Sequence, residues 1–247
     1  MKDKQPNQLE EHLKKIRLKD GIGPITKLYW EYLYEINLNY IFENTREKDK
    51  ILDVGCGTGK YLVELAKKNR ICYGIDPLVE VSLAVAQRMA EKAKVNINLL
   101  QAEGENIPFP ENFFDAVLFL STIQHVNDAD KTLSEINRVL KNKGILLISA
   151  PLRKNIFNFF QDIFKPKYFT YSFSFNELKT LIQKNGFDIL QIKGYGFFPP
   201  FLNIFLFAVY ILFGEKITKK IIKALDIFPK IIPFTASSVV ILAKKQS

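Results

Sequence analysis

The sequence predicts an α/β fold: a doubly wound sheet of seven strands, mostly parallel, with helices on both faces. Three observations predict it. Short apolar runs alternate with segments of helical period between residues 51 and 151. A glycine-rich turn, Asp53 to Gly59, sits directly between the first such run and a helix. An acid, Asp76, closes the second run. At 247 residues the chain is long for one compact domain and short for two. A single domain over 1–247 is therefore expected. It divides into an N-terminal helical segment (1–49), a core (50–151) and a second half (152–247) with an apolar helical insertion at about 197–233.

The elements follow in order. Residues 25–42 place Leu28, Tyr29, Tyr32, Leu33, Ile36, Tyr40 and Ile41 at helical intervals, an amphipathic helix ended by the charges of 46–50. Residues 51–54 form a short apolar run, glycines break it, and 61–68 return to helical period, giving strand, tight turn, helix. The pattern repeats with strands at 71–75, 97–101, 116–120 and 145–149 and helices at 79–92 and 129–140. Pro151 then stops the regular pattern, and 153–175 mixes aromatic residues with lysines without a clean period, as a covering segment would. A helix at 175–185 and strands at 187–192 and 238–243 complete the set. Strands alternating with helices imply parallel pairing, with ligands outside the carboxyl ends of the strands.

Composition narrows the class. With 47% hydrophobic and 25% charged residues the chain can bury a core, so disorder is not the leading reading. Cys56 and Cys72 fit neither a disulfide framework nor a CxxC pair, which points to a reducing compartment. The first twenty residues lack the apolar stretch of a secretory signal, so a cytoplasmic location is expected. A formal charge of +9 and a pI near 9.3 favour anionic partners, nucleic acid or an acidic membrane surface, although a lysine-rich genome accounts for them equally well.

The turn Asp53-Val54-Gly55-Cys56-Gly57-Thr58-Gly59 carries the chemistry. Glycine at every second position lets the backbone adopt positive φ and approach a ligand with no Cβ in the way. The carboxylate of Asp53 suits a cationic group such as an amino-acid ammonium far better than a pyrophosphate, which argues against a dinucleotide oxidoreductase. Asp76 lies twenty-one residues after Gly55, where nucleotide-binding α/β folds place an acid that takes both ribose hydroxyls. Alone, the glycines could be a plain turn and Asp76 a solvated acid; at this spacing they mark a site for a nucleoside.

These residues resemble a known family. Residues 51–59 resemble the first motif of class I S-adenosylmethionine-dependent methyltransferases, and Gly74-Ile75-Asp76 the acidic loop after their second strand. The run from Gln101 to Phe109 is similar to the adenine-side loop, Phe114-Asp115-Ala116-Val117 to the fourth strand, and Arg138-Val139-Leu140-Lys141 to the helix leading to the fifth. The whole resembles the ubiquinone/menaquinone-type, methyltransferase type 11-like branch. The match covers 50–151 closely and 175–187 and 238–244 loosely; the N-terminal helix and the insertion are not covered.

The resemblance implies a Rossmann-like sheet with an antiparallel last strand, S-adenosyl-L-methionine as cofactor and no metal. It makes 50–151 the cofactor-binding core and 152–247 the substrate-side half. It implies Asp53 and Gly55 near the methionine moiety, with Cys56, Gly57 and Gly59 completing the loop, Asp76 and Pro77 at the ribose, and Glu103 with the Gly104 amide at the adenine. Leu120 would line the cofactor by its backbone. Two departures stand out: Glu103-Gly104 where the family has Asp-Ala, and Asn142-Lys143-Gly144 where it has Pro-Gly-Gly.

Methyl transfer from a sulfonium is an in-line displacement on an activated donor, so alignment in a water-poor pocket supplies most of the rate. A base is required only if the acceptor loses a proton as it attacks. His125, on the loop after the fourth strand, is the candidate catalytic base, against the alternative that it only hydrogen-bonds locally. Thr122 and Gln124 share that loop and are candidates to orient a polar acceptor, against the default that they are solvated loop residues, while His12 reads as surface. No Asn/Asp-Pro-Pro-aromatic run follows the fourth strand, and neither cysteine sits where a pyrimidine-methylating nucleophile would, so DNA-base methylation gains no support.

The insertion is the least ordinary part. From Phe201 to Phe213 every residue except Asn203 is apolar, about 20 Å of helix against a bilayer core of about 30 Å, too short for a span. Ile217, Ile221, Ile222 and Leu225 then share a face, with Lys216, Lys219, Lys220 and Lys223 elsewhere. Two readings fit: a monotopic anchor on an anionic membrane that feeds a lipophilic acceptor to the site, or a substrate lid packed on the sheet. A small-molecule acceptor is the expectation. RNA, favoured by the same charge and by the aromatics of 157–175, is the second choice, and a non-catalytic binding protein the third.

Overall fold

The structure, a computed structural model, describes residues 24–152, 173–195, 200–227, 236 and 238–246. Its elements are α1 (Pro24–Asn44), β1 (Lys50–Val54), α2 (Lys60–Ala66), β2 (Ile71–Asp76), α3 (Ala84–Ala93), β3 (Asn98–Gln101) and β4 (Phe114–Leu120). Then come α4 (Ala129–Val139), β5 (Leu140–Pro151), α5 (Phe175–Lys184), β6 (Phe187–Tyr195), α6 (Pro200–Leu225) and β7 (Ser238–Lys245). The seven strands form one sheet in the order β3-β2-β1-β4-β5-β7-β6. β1 pairs in parallel with β2 and β4, β2 with β3 and β4 with β5, while β7 runs antiparallel between β5 and β6. The expected fold class is the observed one.

Two apolar cores, one on each face, hold the layers together. Leu52, Val54, Val117 and Ile148 point to the face covered by α4 (Leu133, Ile136, Val139) and α5 (Leu178, Ile182). Ile51, Leu118 and Leu147 point to the other, covered by α1, α2 (Leu62, Leu65) and α6 (Leu206, Ile222). Successive residues of β1 feeding opposite cores is what a central strand with helices on both sides requires, since side chains alternate along a strand. The stripe expected on α1 is buried: Leu28, Tyr29, Tyr32, Leu33, Tyr40 and Ile41 all lie in the second core.

Three details differ from the sequence reading. The segment expected as one helix from residue 79 opens with a π-helical turn, Val79–Leu83, before α3 begins. β5 starts at Leu140, ahead of the Asn142-Lys143-Gly144 turn; its partner register jumps from Phe114↔Leu140 to Ala116↔Ile145, so the turn bulges out of the ladder with Lys143 at φ 64°. In α6 the backbone breaks at Gly214 (φ 75°, ψ −178°), so apolar and lysine-rich halves are separate helical segments. The covering segment expected at 153–175 lies outside the described residues except at its end, as do His12 and residues 228–235.

Candidate active site

The site is built at the carboxyl ends of β1, β2 and β4. Gly55, Gly57 and Gly59 all have positive φ (72°, 53° and 69°), the left-handed region in which a side chain is strained. The loop is stitched to β2: Gly55 and Cys56 donate their N–H groups to the Ile75 carbonyl at 2.8 and 3.0 Å. Asp76, buried at 7% exposure, extends the stitching, since Oδ2 accepts the Gly57 N–H and Oδ1 the Leu78 N–H, both at 2.9 Å. The residue expected to take ribose hydroxyls therefore also shapes the glycine loop; a carboxylate has about four acceptor sites, enough for both tasks. Exposed Pro77 follows, its carbonyl held by Gln101 Nε2 at 3.1 Å.

Gly55 and Gly57 differ in what surrounds them. A Cβ on Gly55 would lie 2.3 Å from Thr122 Cγ2, so that glycine is demanded by the protein's own packing. A Cβ on Gly57 would meet nothing within 4 Å. Open space beside a backbone already bent to receive something is what a ligand cradle looks like.

Asp53, next to last in β1, is buried with 3% exposure. Burial first, and then the nearby charge of Asp76, push its carboxyl up to about 7. Among the described residues no donor or cation meets it. Cys56 is buried as well, and burial together with Asp53 and Asp76 drives its thiol far up, so it is a packing residue and not a nucleophile.

The loop expected at the adenine, residues 101–109, is pinned by α4 and the turn before it. Glu105 Oε1 accepts the Asn127 and Asp128 N–H groups at 2.7 and 3.0 Å, and Glu135 Oε2 accepts the Ile107 N–H at 3.0 Å. Arg138, paired with Glu135 at 2.7 Å, donates to the Phe109 and Ile107 carbonyls. Glu103 is exposed and Gly104 buried. A Cβ on Gly104 would come within 2.8 Å of Thr132 Cγ2, which gives the Gly-for-Ala departure a packing reason.

Across the cradle, Leu120 closes β4 and its carbonyl accepts the Thr122 hydroxyl at 3.0 Å. Ser121 follows at φ 52°, its N–H held by the Ser149 carbonyl and hydroxyl at 2.9 and 3.0 Å, a backbone strain typical of functional rims. Gln124 is buried, with Nε2 donating to the Ser121 carbonyl at 2.7 Å. His125 is exposed on the same turn, its N–H bonded to the Thr122 carbonyl at 2.8 Å.

Between α1 and the ends of β4, β5 and β7 lies a cavity of about 50 Å³. Trp30, Tyr34 and Asn37 of α1 roof it, Tyr61 of α2 closes the cradle side, and Ser121, Ser149 and Ser238 form much of its floor. His125 is not among its lining residues. The sequence reading missed Asn37, Tyr34 and Tyr61. A signal existed for one of them, since Asn37 is a polar residue on the otherwise apolar stripe of α1. Among the described residues no group of three or more His, Cys, Asp or Glu is placed to hold a metal.

Comparison with known proteins agrees with this geometry. Residues 52–148 match the family model described as a methyltransferase domain. An uncharacterized protein of Methanocaldococcus jannaschii is 30% identical over 191 residues, covering 74% of this chain and 75% of that one. The ubiquinone/menaquinone biosynthesis C-methyltransferase of Haemophilus ducreyi is 34% identical over 173 residues, 58% of this chain and 66% of the relative. Among solved structures, a protein of Pyrococcus horikoshii superimposes with a TM-score of 0.67 at 14% identity, over 94% of this chain and 99% of that one, a likeness of fold alone. A glycine cradle open at Gly57, a buried carboxylate at Asp53 that no cation among the described residues offsets, and the family match agree: the chain belongs to the class I S-adenosylmethionine-dependent methyltransferases, type 11 branch, and S-adenosyl-L-methionine is its methyl donor.

Proposed function

We propose that this enzyme methylates a small lipophilic acceptor at the rim formed by β4, β5 and α1. In this reading the β1 loop, Asp53 with Gly55, Cys56, Gly57 and Gly59, holds the amino-acid end of the cofactor. Asp76 and Pro77 hold the ribose, Glu103 and the Gly104 amide the adenine, and Leu120 contributes its backbone. The bound cofactor supplies a methyl group on a cationic sulfonium. What the chain's own residues do is orient and exclude water. The observation that carries the reading is Asp53, a carboxylate buried beside a backbone cradle with no counter-charge among the described residues, which a bound ammonium would neutralise. His125 is the proposed proton acceptor only for an acceptor that reaches the outer side of the rim.

The lipophilic class rests on α6. Its first half buries Leu206 and Val209 and exposes Phe205, Phe207, Ile211, Leu212 and Phe213, with Leu212 at 72% exposure. So large an apolar surface calls for a partner. No helix among the described residues is long and apolar enough to cross a membrane. We therefore assign this face to the surface of an anionic membrane, aided by exposed Lys216 and Lys220. Lys219 and Lys223 are spent internally on Glu31 and Glu35 of α1 at 3.3 Å. The inward face of this half is Thr218, Ile222 and Asp226, whereas Ile217 is exposed. The name of the Haemophilus relative, which places it in quinone biosynthesis, fits a lipophilic acceptor.

Calorimetry with S-adenosyl-L-methionine, followed by detection of S-adenosylhomocysteine in the presence of lipid extracts, tests the reading. Binding and extract-dependent product are expected, and no heat at millimolar cofactor overturns it.

A further inference from the structure

The cavity beneath α1 has a chemical character of its own. Beside apolar residues its lining holds phenols, an amide and serine hydroxyls, and among the described residues no charged side chain. Asn37, 4% exposed, donates through Nδ2 to the Tyr61 hydroxyl at 3.0 Å, while its Oδ1 is buried with no partner among the described residues. A buried amide oxygen left without a donor is costly and calls for an explanation. Tyr61 receives the amide hydrogen, so its own proton is free to be given elsewhere. Burial, with the charge of Asp53 adding to it, holds that phenol in its neutral form. The pair thus offers one acceptor and one donor, side by side, with Tyr61 two residues beyond the glycine loop.

We propose that Asn37 and Tyr61 are the specificity-determining residues for the acceptor, recognising a neutral hydroxyl-bearing group that enters the cavity while the body of the molecule rests against Trp30. The proposal rests on the methyltransferase reading above and names its acceptor subsite. Size supports it: about 50 Å³ takes a functional group rather than a whole ring system, and Trp30, 49% exposed, lies at the mouth. Charge supports it too, because the described residues that line the cavity include no cation to offset the lost hydration of an entering carboxylate or phosphate. Tyr34 strengthens the wall, its ring 4.8 Å from that of Tyr61 and covered on its own account by Lys60 Nζ at 3.6 Å.

The chain carries its own reporter, since Trp30 is the single tryptophan. Full-length protein saturated with S-adenosylhomocysteine is titrated with phenol, toluene and benzoate while tryptophan emission is followed. Phenol is expected to give a saturable change at lower concentration than toluene or benzoate. Asn37→Ala and the near-isosteric Tyr61→Phe should each weaken phenol by about fivefold, the size of one hydrogen bond, and leave toluene unchanged. Cofactor affinity, measured separately by calorimetry, should be unaltered in both variants. The proposal is overturned if phenol and toluene bind the native protein alike, if benzoate binds best, or if neither variant weakens phenol. It is also overturned if Asn37→Ala lowers cofactor affinity as much as phenol affinity, because the cavity would then belong to the cofactor. Failure of the native protein to bind cofactor at all would instead remove the methyltransferase reading on which this one stands.

Discussion

The two sides of the site are made of different material. The proposed cofactor side, residues 50–120, is largely a backbone structure: left-handed glycines, N–H groups tied to Ile75 and Asp76, and two buried carboxylates, Asp53 and Asp76. The proposed acceptor side is a side-chain structure gathered from α1, α2, the loop after β4, β5 and β7, with Asn37 and Ser238 some two hundred residues apart in the chain. A backbone cradle binds what all members of a family share and tolerates little change. A wall assembled from distant side chains changes one residue at a time, which is how one fold serves many acceptors.

The sharpest way to break this contrast is to neutralise Asp53. Asp53→Asn removes the charge that would meet the cofactor's ammonium and should weaken S-adenosyl-L-methionine by about a hundredfold in calorimetry, the range of a desolvated charge pair. Stability should move the opposite way. The folded carboxyl titrates near 7 against 3.8 for an unperturbed aspartate, so the folded protein binds the extra proton between those values and loses stability as pH rises through that window. The penalty is complete above pH 7 and on the order of 4 kcal/mol. Apo wild type should therefore melt lower at pH 8 than at pH 5, and Asp53→Asn should flatten that slope. A variant with unchanged slope would show that Asp53 has found another partner.

Next in size are the two glycines, which separate packing from ligand binding within one loop. Gly55→Ala sets a Cβ against Thr122 and in a left-handed conformation, so about 2–4 kcal/mol of stability should go, read by urea unfolding. Gly57→Ala meets open space and should cost only the conformational strain, about 1 kcal/mol, yet weaken the cofactor by about tenfold, equivalent to about 1.4 kcal/mol. Equal stability losses would mean that the space beside Gly57 is not a cradle.

The same contrast explains what could be read without coordinates. The glycine turn, Asp53 and Asp76 were visible because each residue type is required by a local backbone task at a fixed spacing. The order of strands followed from alternation, which is also local. The cavity was not visible, since nothing in the neighbourhood of Ser238 announces that it faces Asn37. Nor did the lysine pattern of α6 reveal that Lys219 and Lys223 answer Glu31 and Glu35, a pairing of two helices almost two hundred residues apart. Local period placed Ile217 on the buried face, and tertiary packing put Thr218 and Asp226 there instead.

The outer face of α6 tests how far the acceptor side extends. Leu212→Glu replaces a side chain at 72% exposure, so folding and cofactor affinity should be untouched. Binding to vesicles containing acidic lipid should drop by about tenfold or more, since an inserted leucine contributes about 1.5–3 kcal/mol. Native protein that ignores such vesicles but binds RNA with a steep salt dependence would hand this surface to the other partner.

The smallest effect expected is at His125, and it bears on how the reaction handles its proton. A general base that contacts the acceptor contributes about 10²–10⁴-fold. His125 is exposed and outside the cavity lining, while the neutral phenol of Tyr61 and the amide of Asn37 line it. Among the described residues of the lining none is a strong base, so the proposed pair would position a hydroxyl without taking its proton. His125→Ala should accordingly lower kcat by less than about threefold and leave its pH profile in place, whereas Tyr61→Phe should raise KM for the acceptor. A hundredfold loss in His125→Ala, with an inflection near the pKa of histidine removed from the profile, would instead place the acceptor's reacting atom on the outer side of the rim and empty the cavity of its assigned role.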